Sequence, residues 1–235
     1  MSKKILTVAA AIGLAAALGV FMQQQLSSGG PAPTAGDAAP ATVAPAPAET
    51  PPADAASESE GKIPETLPQF ELADRDGKPR KLGEWSGRPL MVNYWATWCG
   101  PCRREIPLLN DLRSQYQAQK LEIVGIAVDF RDDVLKYAQE NPLSYPLLIG
   151  EEDGLAAVQA MGMQPAFPFT VFADSQQRIV ALKVGELHRD DAELILERLL
   201  AVDAGKLELK AAREQITEGL KDLATKRAAT AAAKG

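Results

Sequence analysis

The only two cysteines of this 235-residue chain stand as Trp98-Cys99-Gly100-Pro101-Cys102, between two segments of different period. Residues 90–96, Leu-Met-Val-Asn-Tyr-Trp-Ala, are apolar on both faces, which predicts a central strand. Residues 103–109, Arg-Arg-Glu-Ile-Pro-Leu-Leu, read as helix. A cysteine at such a strand-to-helix turn sits on a helix N-terminus, where unpaired backbone N–H groups and the helix dipole favour negative charge. That placement lowers a thiol pKa and enriches the reactive thiolate. The second cysteine, one turn on, is within reach to close a disulfide with the first. The pattern suits thiol–disulfide exchange, in which one sulfur attacks and the other resolves the mixed disulfide.

Other uses of a Cys-x-x-Cys pair fit less well. A structural zinc site takes about four N or S ligands, and this chain offers two cysteines and one histidine, His188. No metal is therefore expected. A purely structural bridge is disfavoured because so short a loop constrains the unfolded chain little. With no other cysteine, stability has to come from an ordinary core, which a segment of about 140 residues can build. The net charge of −6 leaves no basic footprint for nucleic acid. No nucleotide or flavin fingerprint is present, so no cofactor is expected.

The composition divides the chain into four parts. Residues 1–26 open with Lys3 and Lys4 and then run apolar and uncharged from Ile5 to Met22, 18 residues in all. This is the layout of a membrane anchor or a secretory signal, with the anchor favoured. The two lysines place the N-terminus in the cytoplasm and the remainder across the membrane, in the periplasm or cell envelope. A cleaved signal would release the same domain into the periplasm. Residues 27–62 are Ala/Pro-rich without apolar period and read as a disordered, semi-stiff tether. Exported domains meet conditions in which disulfides form and persist.

Residues 63–203 alternate between strand and helix. A hairpin is expected around Asp76-Gly77, then the strand at 90–95 and a helix over about 100–119 that breaks or kinks at Pro107. A second buried strand follows at 121–128, and a helix capped by Asp132 and Asp133 runs to Glu140. A short strand at 145–149, a short helix at 154–161, two strands at 169–173 and 178–184, and a helix starting at Asp190/Asp191 complete the pattern. His188 reads as a loop residue near that helix start. The order predicts an α/β sandwich, one mixed central sheet flanked by helices, with an N-terminal hairpin.

Trp95-Ala96-Thr97-Trp98-Cys99-Gly100-Pro101-Cys102 resembles the active-site signature of the thioredoxin superfamily. The wider stretch, with Phe70, Gly77-Lys78-Pro79, Asn93-Tyr94 and Arg103-Arg104-Glu105-Ile106-Pro107, resembles the TlpA/ResA-type membrane-anchored thiol–disulfide oxidoreductases. The resemblance covers residues 63–202 and implies the thioredoxin-like fold. It makes Cys99 the attacking thiolate and Cys102 the buried resolving thiol of a redox-active disulfide. Pro168, in Phe167-Pro168-Phe169, matches the family's cis-proline facing the dithiol, whereas Pro165 is not adjacent to the strand. Trp98, Gly100, Pro101 and Phe167 would then line the place where a client binds.

One departure carries weight. Many thioredoxins have a titrating Asp six residues before the first cysteine, and Asn93 stands there. ResA-like members carry Glu three residues after the second cysteine, the place of Glu105, on the helix face of Cys102. The fold's peroxidase branch needs Thr or Ser where Ala96 stands, which disfavours that chemistry. The resemblance implies a reductase of protein disulfides, with disulfide-containing clients and a membrane or periplasmic electron donor; cytochrome c biogenesis and metal-site assembly are both served by such proteins. An oxidase or isomerase, or a redox-inert tethered binding module, remain the alternatives.

Residues 204–235 lie beyond that fold. Leu209, Ala212, Ile216, Leu220 and Leu223 recur at helical steps, on a segment whose seven Lys/Arg and four Asp/Glu give a charge of +3. Such a stripe docks on its own domain, pairs with another chain or lies near an anionic membrane; packing on the parent domain is the commonest outcome. From about Thr225 disorder is expected.

Overall fold

The computed structural model describes residues 62–233; the candidate anchor and nearly all of the Ala/Pro-rich segment lie outside them. Seven strands form one mixed sheet in the order β2-β1-β5-β4-β3-β6-β7. Its centre is β3 (Leu90–Trp95) and β4 (Glu122–Val128), paired in parallel and buried at every position. Strands without a solvent face read as continuous apolar runs, which is how both are legible in the sequence. β5 (Leu147–Gly150) continues the parallel pairing beside β4, and the hairpin β1 (Glu71–Asp74) and β2 (Pro79–Lys81) adds antiparallel to β5. On the other side β6 (Phe169–Ala173) and β7 (Ile179–Val184) complete the sheet antiparallel.

The alternation of side chains along β3 divides two cores. Met91 and Trp95 face one layer with Ile106, Leu109 and Leu112 of α1 (Gly100–Gln115), Val134 of α2 (Arg131–Glu140) and Ile195 and Leu199 of α4 (Arg189–Asp203). Leu90, Val92 and Tyr94 face the other, with Ala157 and Val158 of α3 (Glu152–Ala160) and with Leu82 and Trp85 of the 3-10 turn after β2. The expected α/β sandwich with a mixed sheet and an N-terminal hairpin is the fold observed.

Several local expectations are corrected. Pro107 does not break α1, which is continuous from Gly100 to Gln115. Proline removes one backbone donor, but Pro107 is exposed while Ile106, Leu109 and Leu112 are pinned in the core. Packing of the apolar face outweighs one lost hydrogen bond. Asp132 and Asp133 lie inside the first turn of α2 instead of capping it; Phe130 holds the cap position. There the carboxylates meet the helix dipole. His188 lies where it is expected, in the loop at the start of α4, at the cap position.

The last helix, α5 (Leu209–Ala232), packs on its own domain through the buried Ala212 and Ile216. It extends past Thr225, where the sequence predicts disorder. Beyond that point it is tied to its domain by Arg227, whose guanidinium binds Asp190 and Asp191 at the start of α4, all four N···O distances between 2.8 and 3.1 Å. α4 and α5 also approach closely at Gly219: a Cβ there would come within 2.6 Å of a methyl of Leu194.

Candidate active site

Cys99 is the N-cap of α1, with extended backbone ahead of the first helical residue, Gly100. Pro101 sits in the first turn, where its missing N–H costs nothing because that donor would be unpaired anyway. Cys99 and Cys102 form a disulfide with Cα atoms 5.3 Å apart. The Cys99 sulfur also accepts the Cys102 backbone N–H at 3.2 Å, so a helix-terminal donor points at the sulfur that would carry the charge on reduction. The two differ in access: Cys99 is 5 % exposed and Cys102 fully buried. Around Cys99 the surface opens on Gly100 and on Trp98, which is 68 % exposed.

The turn before Cys99 is tied to the end of β4. Asp129 accepts the Thr97 N–H and hydroxyl on one oxygen and its own neighbour's Phe130 N–H on the other. Asp129 escaped the sequence reading, since an aspartate after a strand reads as a turn residue. Its place at the carboxyl end of a central parallel strand is the signal that could have found it, because sites in α/β sheets gather there.

The Phe167–Pro168 peptide is cis, and Pro168 is buried at the start of β6. Its carbonyl accepts the Gly185 N–H at 2.8 Å. Phe167 stacks edge-on against Trp98, ring centroids 6.0 Å apart. Trp98, Phe167, Pro165, Leu155 and the exposed Phe130 line a groove of about 240 Å³ beside the disulfide turn. Pro165, set aside on sequence grounds, is thus part of this wall.

Glu105 is a charged residue that the fold draws inside beside the cysteine pair, as it does Asp174 and Asp191 elsewhere. It is 2 % exposed, on the core face of α1 one turn beyond Cys102. One carboxylate oxygen accepts the Asn93 amide at 2.7 Å, and the other accepts the Leu187 backbone N–H at 2.7 Å. Asn93 in turn donates to the Thr170 hydroxyl at 3.0 Å. Burial pushes the Glu105 carboxyl up to about 7, against the pull of these two hydrogen bonds toward lower values. The position occupied by a titrating Asp in many thioredoxins is here an amide that holds the titrating group from across the layer. Leu187 was not foreseen, since a backbone donor leaves no mark in a sequence. The site therefore holds a disulfide at a helix start, a buried carboxyl titrating near neutrality, and an apolar groove beside the more accessible sulfur.

The AhpC/TSA family model matches residues 63–185, just over half of the chain. Thiol-disulfide oxidoreductase ResA of Geobacillus thermodenitrificans is 32% identical over 135 residues, 57% of this chain and 76% of the relative. ResA of Geobacillus kaustophilus is 30% identical over the same shares. Among solved structures, a thiol:disulfide interchange protein of the thioredoxin family from Chlorobium tepidum superposes with a TM-score of 0.52 at 27% identity, covering 58% of this chain and 97% of that one. With the dithiol, the cis-proline and the buried glutamate already in place, these likenesses settle the lineage: the chain belongs to the AhpC/TSA family, and within it to the ResA-type thiol–disulfide oxidoreductases.

Proposed function

We propose that the protein reduces disulfides of client proteins outside the cytoplasmic membrane. The observation that carries this reading is the pairing of a helix-capping Cys99 with a buried Glu105 one turn beyond Cys102. In the first step the Cys99 thiolate attacks a client disulfide; the Cys99–client bond forms and the client's other sulfur leaves as a thiolate. In the second step Glu105 takes the Cys102 proton, Cys102 attacks the Cys99 sulfur, and the client's second sulfur departs. Two electrons pass to the client, and the Cys99–Cys102 disulfide remains for a dithiol donor to reduce. Trp98, Gly100, Pro101 and Phe167 line the client's approach, and Pro168 with its flanking backbone receives an extended client segment by strand-like hydrogen bonding.

Gly-Pro between the cysteines supports the reducing direction, since it is shared with thioredoxin, whose potential lies near about −270 mV. The lysines and apolar run of residues 1–22 support export and tethering to the inner membrane, and residues 27–62 would hold the domain away from it. Among the described residues no helix is long and apolar enough to cross a membrane. Cytochrome c biogenesis and metal-site assembly are the client processes such a reductase fits.

Equilibration of the purified protein with a glutathione redox series tests the reading. A potential within some tens of millivolts of −270 mV supports it; one near about −120 mV, the range of strong oxidants, makes the protein an oxidase. A thiol state that never changes makes it a binding module.

A further inference from the structure

Glu105 is gripped from the far side of its layer by a turn that has no regular structure. Residues 185–188 connect β7 to α4, and this turn delivers the Leu187 N–H to the carboxylate. Lys183, the next-to-last residue of β7, holds the turn. Its ammonium donates to the Val184 carbonyl at 2.9 Å and to the Glu186 carbonyl at 3.2 Å, and lies 3.8 Å from Asp191 Oδ2. The Lys183 side chain is only 17 % exposed and that of Asp191 is fully buried. A buried carboxylate needs cationic partners to offset its lost hydration. Asp191 has two: Lys183, and Arg227 of α5 at 2.8 Å. A continuous polar path thus runs from the C-terminal helix through Arg227, Asp191 and Lys183 to the turn that binds Glu105.

We propose that Lys183 is a positioning residue for Glu105, fixing the Leu187 N–H on the carboxylate, and that Asp191 and Arg227 hold Lys183 in that role. The last helix, which lies beyond the family match, is in this way coupled to the proton-handling group of the site. The proposal rests on the reading of Glu105 as the base for Cys102. The groups that act on Glu105 are Asn93 from β3, Tyr145 from the β4–β5 connection, and Lys183, Glu186 and the Leu187 N–H from the β7 side, while Cys102 stands three residues before it on the same helix. Glu186 is engaged by Arg104 of α1 in a two-point ion pair, so Lys183 is the cation left to favour the Glu105 carboxylate.

The test uses the full chain with its disulfide closed and follows the Glu105 carboxyl directly, by the pH titration of its infrared carbonyl band, assigned by its absence in Glu105→Gln. Lys183→Met should raise the titration midpoint by about half a pH unit, a roughly threefold change in proton affinity. Lys183→Arg should stay near the wild-type midpoint, and Arg227→Gln should move it upward by a smaller amount. A midpoint unmoved in Lys183→Met, whatever happens to its melting temperature, makes Lys183 merely structural and overturns the proposal. If Lys183→Met does not fold, Arg227→Gln decides by the same criterion. A midpoint that moves in Lys183→Met and not in Arg227→Gln removes α5 from the coupling. The underlying reading fails separately, if Glu105→Gln leaves the pH–rate profile of disulfide exchange unchanged.

Discussion

Asp129 takes both the backbone N–H of Thr97, at 2.9 Å, and its hydroxyl, at 2.5 Å, on a single carboxylate oxygen. The end of β4 thereby sets the height of the turn from which Trp98 and Cys99 project. Asp129→Ala leaves the Thr97 and Phe130 donors, which are partly buried where they bind, without their partner. A loss of about 1–3 kcal/mol in unfolding free energy is expected, together with slower alkylation of reduced Cys99. Thr97→Val, which removes the hydroxyl alone, should cost about 1 kcal/mol. Denaturant unfolding of the oxidised form measures both. Equal stability of wild type and Asp129→Ala would mean that water replaces the carboxylate at no cost.

The two sulfurs should separate in a trapping experiment. Cys102→Ser leaves the accessible Cys99 free to attack and nothing to release the product, so mixed disulfides with client proteins should accumulate. Cys99→Ser should trap none, because Cys102 is fully buried. Non-reducing electrophoresis of the two variants reads the result, and equal trapping by both would reverse or abolish the assignment.

Glu105 makes stability fall with rising pH. Its carboxyl titrates near 7 when folded against 4.5 when free, so the native state binds more protons than the unfolded chain between those values. Stability contributed by the neutral form is complete below about pH 4.5 and is lost as pH climbs to 7, on the order of 3 kcal/mol. Glu105→Gln should flatten this slope, and denaturant midpoints of the oxidised protein across pH 4–8 measure it. In turnover, the same substitution should slow the second step and shift its pH profile. Parallel stability slopes in wild type and variant would show that the carboxyl is not held neutral.

Gly125 opposes Asn93 across β3 and β4, and the ring of Tyr145 fills the space above it. A Cβ at Gly125 would come 2.8 Å from Tyr145 Cε2 and 3.4 Å from the Trp95 indole nitrogen. Both rings are buried and cannot swing aside into solvent. Gly125→Ala should therefore cost about 1–3 kcal/mol by overpacking, read from the melting of the oxidised form. A loss below 0.5 kcal/mol, roughly the spread of neutral substitutions, would mean the layer is softer than drawn.

What the sequence disclosed is what local pattern can carry. Cys99 and Cys102 stand in one motif, β3 and β4 are unbroken apolar runs, and Glu105 falls on the face of Cys102 by helical spacing alone. The partners of these residues were hidden because they come from distant segments. Leu187 meets Glu105 across 82 positions through a backbone N–H, a group every residue but proline has. Asp191 meets Arg227 across 36 positions, and without that contact the Ala-rich end of α5 read as disordered. Pro107 misled for the opposite reason: its local rule is real, but packing of the neighbouring residues overrode it.

Both cysteines of the chain are consumed in the one bridge, and none is left over. Each molecule free of a partner thus holds two titratable sulfhydryls or none, and no third thiol blurs the count. A single molecule that takes up one alkyl group can only have its other sulfur joined to something else, caught between the two states. The intact mass of the alkylated wild-type protein is accordingly a census of resting, charged and occupied molecules, with no substitution required.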